Sequence, residues 1–327
     1  VMAWEQFALG RTATSLPQPP PGRVAVSRSG DVVRFAAGGA VLALDRASGL
    51  VQSYSVAGNP LLEGGTPNFW RAVTDPDVGT RAARELAPWQ EMSETRAVTG
   101  FEVRQVPGGA QEAVVDFGLG VKGAAASFRT IYRMEGDGSV TLSGTFTPKN
   151  LELPAPFRIG LAFDLPAAFD TVEWYGRGPH ESYVDRKSSA PLGLWRGALS
   201  EQGHDYIRPQ ETGNKVDVRW MELSGAGRGL RAEGSQPLMM NALPFPYTDL
   251  YPRAPGTWKW TDIRPGQPGT LLIDAAQRGV GGDNQWSQLG WPLPQYRVAL
   301  EPVSFTLRLS PADTVTIRAG AQPGGNP

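Results

Sequence analysis

Arg129-Thr130-Ile131-Tyr132-Arg133-Met134, then Glu135-Gly136-Asp137-Gly138-Ser139, then Val140-Thr141-Leu142-Ser143-Gly144-Thr145-Phe146: this stretch decides the fold. Two runs alternate between apolar and polar side chains, and a glycine-rich, aspartate-bearing segment separates them. Alternation of period two puts every second side chain on the same face, so the reading is a β-hairpin with one buried face. The pattern repeats outward in both directions. Val24 and Val26, a turn over Arg28-Ser29-Gly30-Asp31, and Val32-Val33-Arg34-Phe35 suggest another hairpin. So do Val41 to Leu44, the turn Asp45 to Gly49, and Leu50 to Val56. Arg158 to Leu165, Thr270 to Asp274, Gln295 to Leu300 and Ser304 to Leu309 also read as strands. Only Thr80 to Met92 has a helix-like composition, interrupted by Pro88. Many short strands with regular turns and no fixed-period repeat predict an all-β sandwich or barrel.

The composition agrees. Glycine (40) and proline (29) supply roughly a fifth of 327 residues, as a turn-rich β protein requires. Hydrophobic residues at 40% and charged residues at 19% allow a sizeable core. A net charge of -1 gives no reason to expect nucleic acid or an anionic membrane as partner. With no cysteine, disulfides and thiolate metal sites are excluded. The two histidines, His180 and His204, have no metal-ligand spacing, so no metal site is expected. No serine nucleophile elbow is present. Gly118-Leu119-Gly120-Val121-Lys122-Gly123 fits the dinucleotide fingerprint by letters. It leads into another strand, though, and the fingerprint needs a helix.

Gly279-Val280-Gly281-Gly282-Asp283-Asn284-Gln285-Trp286-Ser287 is the densest candidate for function. Glycines and small polar residues let such a stretch turn sharply between the expected strands. Trp286 is then either a rigid aromatic held outward or a plug for the core below. Asp283, beside Gly281-Gly282, is expected to bond nearby backbone amides.

The same nine residues resemble the loop near the C-terminus of the large bacterial β-galactosidases of glycoside hydrolase family 2, Gly-Gly-Asp-(Asp/Asn)-x-Trp-(Ser/Gly). Three more stretches agree, in the family's order. Asn68 to Gly79 (Asn-Phe-Trp-Arg-Ala-Val-Thr-Asp-Pro-Asp-Val-Gly) is similar to Asn-Phe-Trp-Arg-Ala-Pro-Thr-Asp-Asn-Asp-x-Gly. Gly176 to Arg186, which includes Gly178-Pro179-His180-Glu181-Ser182-Tyr183-Val184-Asp185, resembles Gly-x-Gly-Pro-x-Glu-x-Tyr-x-Asp-Arg. Pro209 to Arg219 resembles Pro-(Gln/Ser)-Glu-Asn-Gly-x-(Arg/Lys)-x-x-x-Arg.

The resemblance implies a two-sheet supersandwich of about eighteen strands, of the galactose mutarotase type. It divides the chain into the end strand of a preceding immunoglobulin-like domain (1–10), a proline-rich linker (11–22), the supersandwich (23–320) and a tail (321–327). It implies hydrolysis of terminal β-galactosides such as lactose, with retention. The catalytic glutamates belong to a TIM-barrel domain that no stretch here matches, so no catalytic residue is expected in this chain, and the chain alone is expected to be inactive. Trp286, with Asp283 and Asn284, is the implied substrate contact, at an interface with the barrel. Gly79 is the implied hinge of a loop at the mouth of the site. No cofactor is expected here; Mg and Na belong to other domains of the parent, which is expected to be a cytoplasmic homo-oligomer. Glu173, Glu181, Asp185 and Glu211 are expected to form structural pairs with arginines such as Arg186 and Arg219, and His180 to be a hydrogen-bonded structural residue. A free-standing carbohydrate-binding module and an aldose 1-epimerase are the rival readings.

Overall fold

A computed structural model describes residues 5–7, 16, 18–121, 124–251, 259–263, 265 and 268–312. Sixteen strands account for most of them. They are β1 (Ala25–Ser29), β2 (Val32–Ala37), β3 (Ala40–Asp45), β4 (Val51–Val56), β5 (Asn59–Asn68), β6 (Ala97–Gln105), β7 (Gln111–Val121) and β8 (Ala124–Met134). The second half supplies β9 (Val140–Leu151), β10 (Arg158–Leu165), β11 (Thr171–Arg177), β12 (Leu192–Ala198), β13 (Lys215–Gly225), β14 (Arg228–Leu243), β15 (Gly269–Gln277) and β16 (Val303–Pro311). Three short helices, α1 (Asp75–Gly79), α2 (Ala82–Glu85) and α3 (Ala87–Glu94), lie between β5 and β6. Among the described residues no helix is long and apolar enough to cross a membrane.

The strands pair antiparallel along one hydrogen-bonded path, β1-β2-β3-β4-β5-β10-β15-β14-β16-β9-β8-β7-β6, with β13, β11 and β12 branching from β14. The path curls so that its two limbs face each other. Phe69, at the end of β5, meets Phe128 of β8 at 6.0 Å and Phe146 of β9 at 5.4 Å between ring centroids. Tyr54 of β4 donates its hydroxyl to Gly138 O, 2.8 Å away, in the β8–β9 turn. Phe35, Leu42, Phe117 and Leu142 belong to the same core. Each fully buried side chain of this kind stabilises the fold by about 1.5–3 kcal/mol. The result is an all-β sandwich. The family implied two sheets of about eighteen strands; the described residues form sixteen in one hydrogen-bonded sheet, thirteen along the curled path and three on the branch.

The hairpin of the opening stretch is β8–β9, in register from Met134↔Val140 to Phe128↔Phe146. The expected strands at 158–165, 270–274 and 304–309 are β10, β15 and β16. The expected strand over Gln295 to Leu300 is not formed. Pro294 opens a single 3-10 turn, Pro294–Tyr296, and residues 297–300 find no strand partner. Proline lacks the N–H that a ladder needs, and Pro292 and Pro294 bracket the run's start. Pro88 does not break a longer helix at its middle but sits in the first turn of α3, where its missing N–H costs nothing. β7 ends at Val121 and β8 follows, so the Gly118–Gly123 run connects two strands. Of the expected end strand, residues 5–7 are described and are not strand. Gln6 exchanges hydrogen bonds with the Leu192 main chain, at 2.8 and 2.7 Å. The rest of that segment and half of the linker (11–15 and 17) lie outside the described residues.

Candidate functional site

β15 is buried along nearly all its length and delivers the chain to the glycine-rich loop. Arg278 follows it directly. Its guanidinium lies 3.9 Å from the Trp291 ring centroid, and its carbonyl accepts from Arg71 Nη1 at 3.0 Å. Burial pushes the Arg278 guanidinium down to about 10. Arg71 is itself fully buried and holds three things at once: the carbonyls of Arg278 and Gly279 and, at 3.0 Å, the carboxylate of Asp77. Asp77 in turn caps α1. Its carboxylate accepts from Thr74 N at 2.9 Å and Thr74 Oγ1 at 2.8 Å, while Thr74 Oγ1 accepts from Asp77 N. This is a capping box, so Asp77 orders the helix start. A buried arginine shared among a carboxylate and two carbonyls ties the entrance of the loop to α1.

Asp185 holds the next turn. Its carboxylate accepts from Val280 N at 3.1 Å and Gly281 N at 2.7 Å. Successive backbone amides converging on one anion form a small nest. That approach explains Gly279, where a Cβ would stand 2.4 Å from Asp185 Oδ2. Asn284 then folds the tip. Its Oδ1 accepts from Trp286 N at 3.0 Å and Ser287 N at 2.9 Å, and its Nδ2 donates to Ser287 Oγ at 2.9 Å. The outer side of the loop leans on α1. A Cβ at Gly79 would lie 1.4 Å from Gln285 O, so only glycine admits this contact. Held in this way, Trp286 is 78% exposed.

The expected contacts Asp283, Asn284, Trp286 and Gly79 therefore share one junction. Asp283 is the exception in role. Its N–H donates to Leu289 O at 2.7 Å, but among the described residues its carboxylate has no hydrogen-bond partner. The amide-binding role expected of it is carried by Asn284 and Asp185, whose acceptors point into the turn while Asp283 stays at its rim. Asp185, expected to pair with an arginine, makes no such pair among the described residues and holds the loop's amides instead, and Arg71 is a support that the motif reading did not assign; their loop partners lie 95 and 207 residues away.

Beside the loop lies a cavity of about 250 Å³, lined among others by Asp75, Arg186, Tyr206, Gln210, Val280 and Gln285. The carboxylates in and next to it, Glu211 in its wall and Glu181 behind Arg186 and Tyr206, are structurally engaged. Glu181 accepts from Tyr206 and Arg186 through one oxygen, and from Thr212 Oγ1 at 2.9 Å and Gly213 N at 2.8 Å through the other. Burial opposes its charge, but those four donors hold it below its ordinary value. Glu211 pairs with Arg158 at 3.1 Å and accepts from Gln277 at 3.0 Å. Behind it Asp274 faces Arg158 at 3.5 Å. Burial, with the Glu211 charge adding to it and Arg158 opposing, raises Asp274 to about 7. The pairing with arginine was expected for these residues. The partner of Glu211 is Arg158, however, and Arg219 binds the Asp217 carbonyl instead. Glu173 makes no pair among the described residues and keeps a buried oxygen without a partner. His180 Nε2 lies 3.2 Å from Ser189 Oγ on the surface.

The family profile described as the β-galactosidase small chain matches residues 36–309. The chain belongs to that family. It is 35% identical over 250 residues to a β-galactosidase of Priestia megaterium, covering 74% of this chain and 23% of that protein. A β-galactosidase of Vibrio cholerae is 30% identical over 297 residues, covering 84% of this chain and 27% of that protein. This small-chain domain thus spans about a quarter of the length of these relatives. Among solved structures, a galactose 1-epimerase from Lactobacillus acidophilus aligns at 8% identity with a TM-score of 0.49, over 89% of this chain and 98% of its own.

Proposed function

We propose that this small-chain domain completes the active site of a β-galactosidase that hydrolyses terminal β-galactosides such as lactose with retention. Its contribution is a wall and an aromatic platform, while a catalytic barrel supplies the acid/base and nucleophile glutamates. The observation that carries this reading is Trp286: a large indole left 78% exposed at the tip of a loop that Arg71, Asp185, Asn284 and Gly79 all fix. An indole placed in this way offers an apolar face to sugar C–H groups, and its ordering cost is already met by the fold. The neighbouring carboxylates support the division of labour. Glu181 and Glu211 are each spent on arginines and other donors, which suits a supporting wall better than proton transfer. Gly79 also serves as the hinge of the segment that follows it, at the mouth of the site.

The test is made in a β-galactosidase carrying this chain. Trp286→Ala is expected to raise KM for a nitrophenyl β-galactoside while the protein stays folded. An unchanged KM would remove the platform from the account.

A further inference from the structure

The two histidines of the chain, 24 residues apart in sequence, come together in a second open cavity of about 270 Å³. Its walls include His180, Glu181, Glu201, His204, Tyr206 and Lys215. It adjoins the cavity beside the Trp286 loop, since Tyr206 lines both. The role of Trp286 uses none of His180, Glu201, His204 and Lys215.

Lys215 is the unusual member. It is fully buried, its Nζ donates to Gly213 O at 2.7 Å, and it lies 5.1 Å from the Trp174 ring centroid. An ammonium has three donors, and only one has an acceptor among the described residues. Burial lowers Lys215 to about 8, with the Glu181 charge opposing. The acceptors in the wall are also open. Glu201 is exposed and its carboxylate is unpaired among the described residues, and Gln202 uses its amide N–H on Ala198 O at 2.9 Å, leaving its carbonyl. The His204 ring packs edge-on against Tyr206 at 4.5 Å between centroids. Neither ring nitrogen of His204 is engaged by a described residue.

The charges decide the class of ligand. Among the lining groups Glu181 and Glu201 stand against Lys215, and the Glu181 charge is already offset by Arg186 from the neighbouring cavity, so the wall is close to neutral. A multivalent anion meets two carboxylates, and a cation meets Lys215. A neutral molecule dense in hydroxyls suits the wall best, because each hydroxyl can both accept from Lys215 and donate to Glu201 or Gln202. Pockets for drug-sized ligands begin at roughly 300 Å³, so this one takes a single sugar ring rather than a chain. We propose that the cavity framed by His180, His204, Glu201 and Lys215 is a binding site for a neutral monosaccharide, separate from the Trp286 platform.

Calorimetric titration of the 327-residue chain with galactose, glucose and mannose tests this, using inorganic phosphate as the charged control. At least one sugar is expected to bind saturably, with a dissociation constant on the order of millimolar. His204→Ala and Glu201→Gln, both on the surface, are each expected to weaken that binding roughly fivefold. Trp286→Ala is expected to leave it unchanged. Three results overturn the proposal: no saturable binding of any of the three sugars, binding lost in Trp286→Ala but kept in His204→Ala, or tighter binding of phosphate than of sugar. The platform reading is measured separately, through KM, so either proposal can fail alone.

Discussion

Trp286 and Asn284 illustrate how different the roles of neighbours in one loop can be. Trp286 projects from the fold, so its truncation removes little buried surface. Trp286→Ala is expected to cost the chain less than about 1 kcal/mol in a denaturant titration, whereas a core tryptophan costs about 3–5 kcal/mol. Asn284 holds two backbone amides, at 3.0 and 2.9 Å. Asn284→Ala is expected to speed amide exchange at residues 286 and 287 by roughly tenfold, the worth of about one hydrogen bond. Asp283→Ala is expected to leave those amides as protected as before, because its carboxylate takes no part in the turn. Equal effects from the two substitutions would contradict the assignment. In sequence both residues look alike: each is a small polar residue beside glycines. Which of them caps depends on where the chain turns, and that is set by Asp185, distant in sequence.

The elements behind the site are held by buried charge, and this layer was the least legible. The alternation of β8, β9, β10 and β16 shows plainly in the residues. The network of Arg158 on β10, Asp274 on β15 and Glu211 does not. It exists because β10 and β15 pair with Gly160 opposite Asp274, and register between distant strands leaves no local trace. Thr74-Asp75-Pro76-Asp77 was readable in principle, since a threonine followed three residues later by an acid is a helix-start signal; α1 is short enough to have passed as a loop. The network has a testable pH dependence. Asp274 titrates near 7 when folded and near 3.8 by its ordinary value. Between those values the folded protein retains a proton that the unfolded chain has released. Stability from this residue is therefore fully present below about pH 4 and declines as pH rises to about 7. Asp274→Asn keeps the neutral form at every pH. It is expected to raise the melting temperature relative to wild type at pH 8 and to match it at pH 4; the reverse order would refute the raised pKa. Glu211→Gln removes the anionic partner of Arg158 and is expected to cost about 3–5 kcal/mol. At the other junction, Gly79→Ala places a methyl carbon where Gln285 O now stands, 1.4 Å away. The Trp286 loop must then shift off α1, and changed exchange rates at residues 279–287 are the expected signature.

At the scale of the molecule, the sandwich and its family were legible because hairpin alternation is local and four motifs recur in order. What those motifs build was not legible. Asp185 and the glycine-rich loop, and Arg71 and the loop entrance, come from separate motifs and meet only when the sheet curls. That convergence supports the proposed role, in which the fold prepares Trp286 in advance to meet a sugar that another domain cleaves. The 327-residue chain alone is therefore expected to show no turnover of a nitrophenyl β-galactoside. The direct measurement is the dissociation constant of a competitive galactoside inhibitor in a β-galactosidase carrying this chain, for wild type, Trp286→Phe and Trp286→Ala. Removing roughly 60–100 Å² of apolar contact from water contributes about 1.5–2.5 kcal/mol, so Trp286→Ala is expected to weaken binding roughly ten- to seventyfold, with most of the loss restored by phenylalanine. Equal inhibitor affinity in all three proteins would contradict the account.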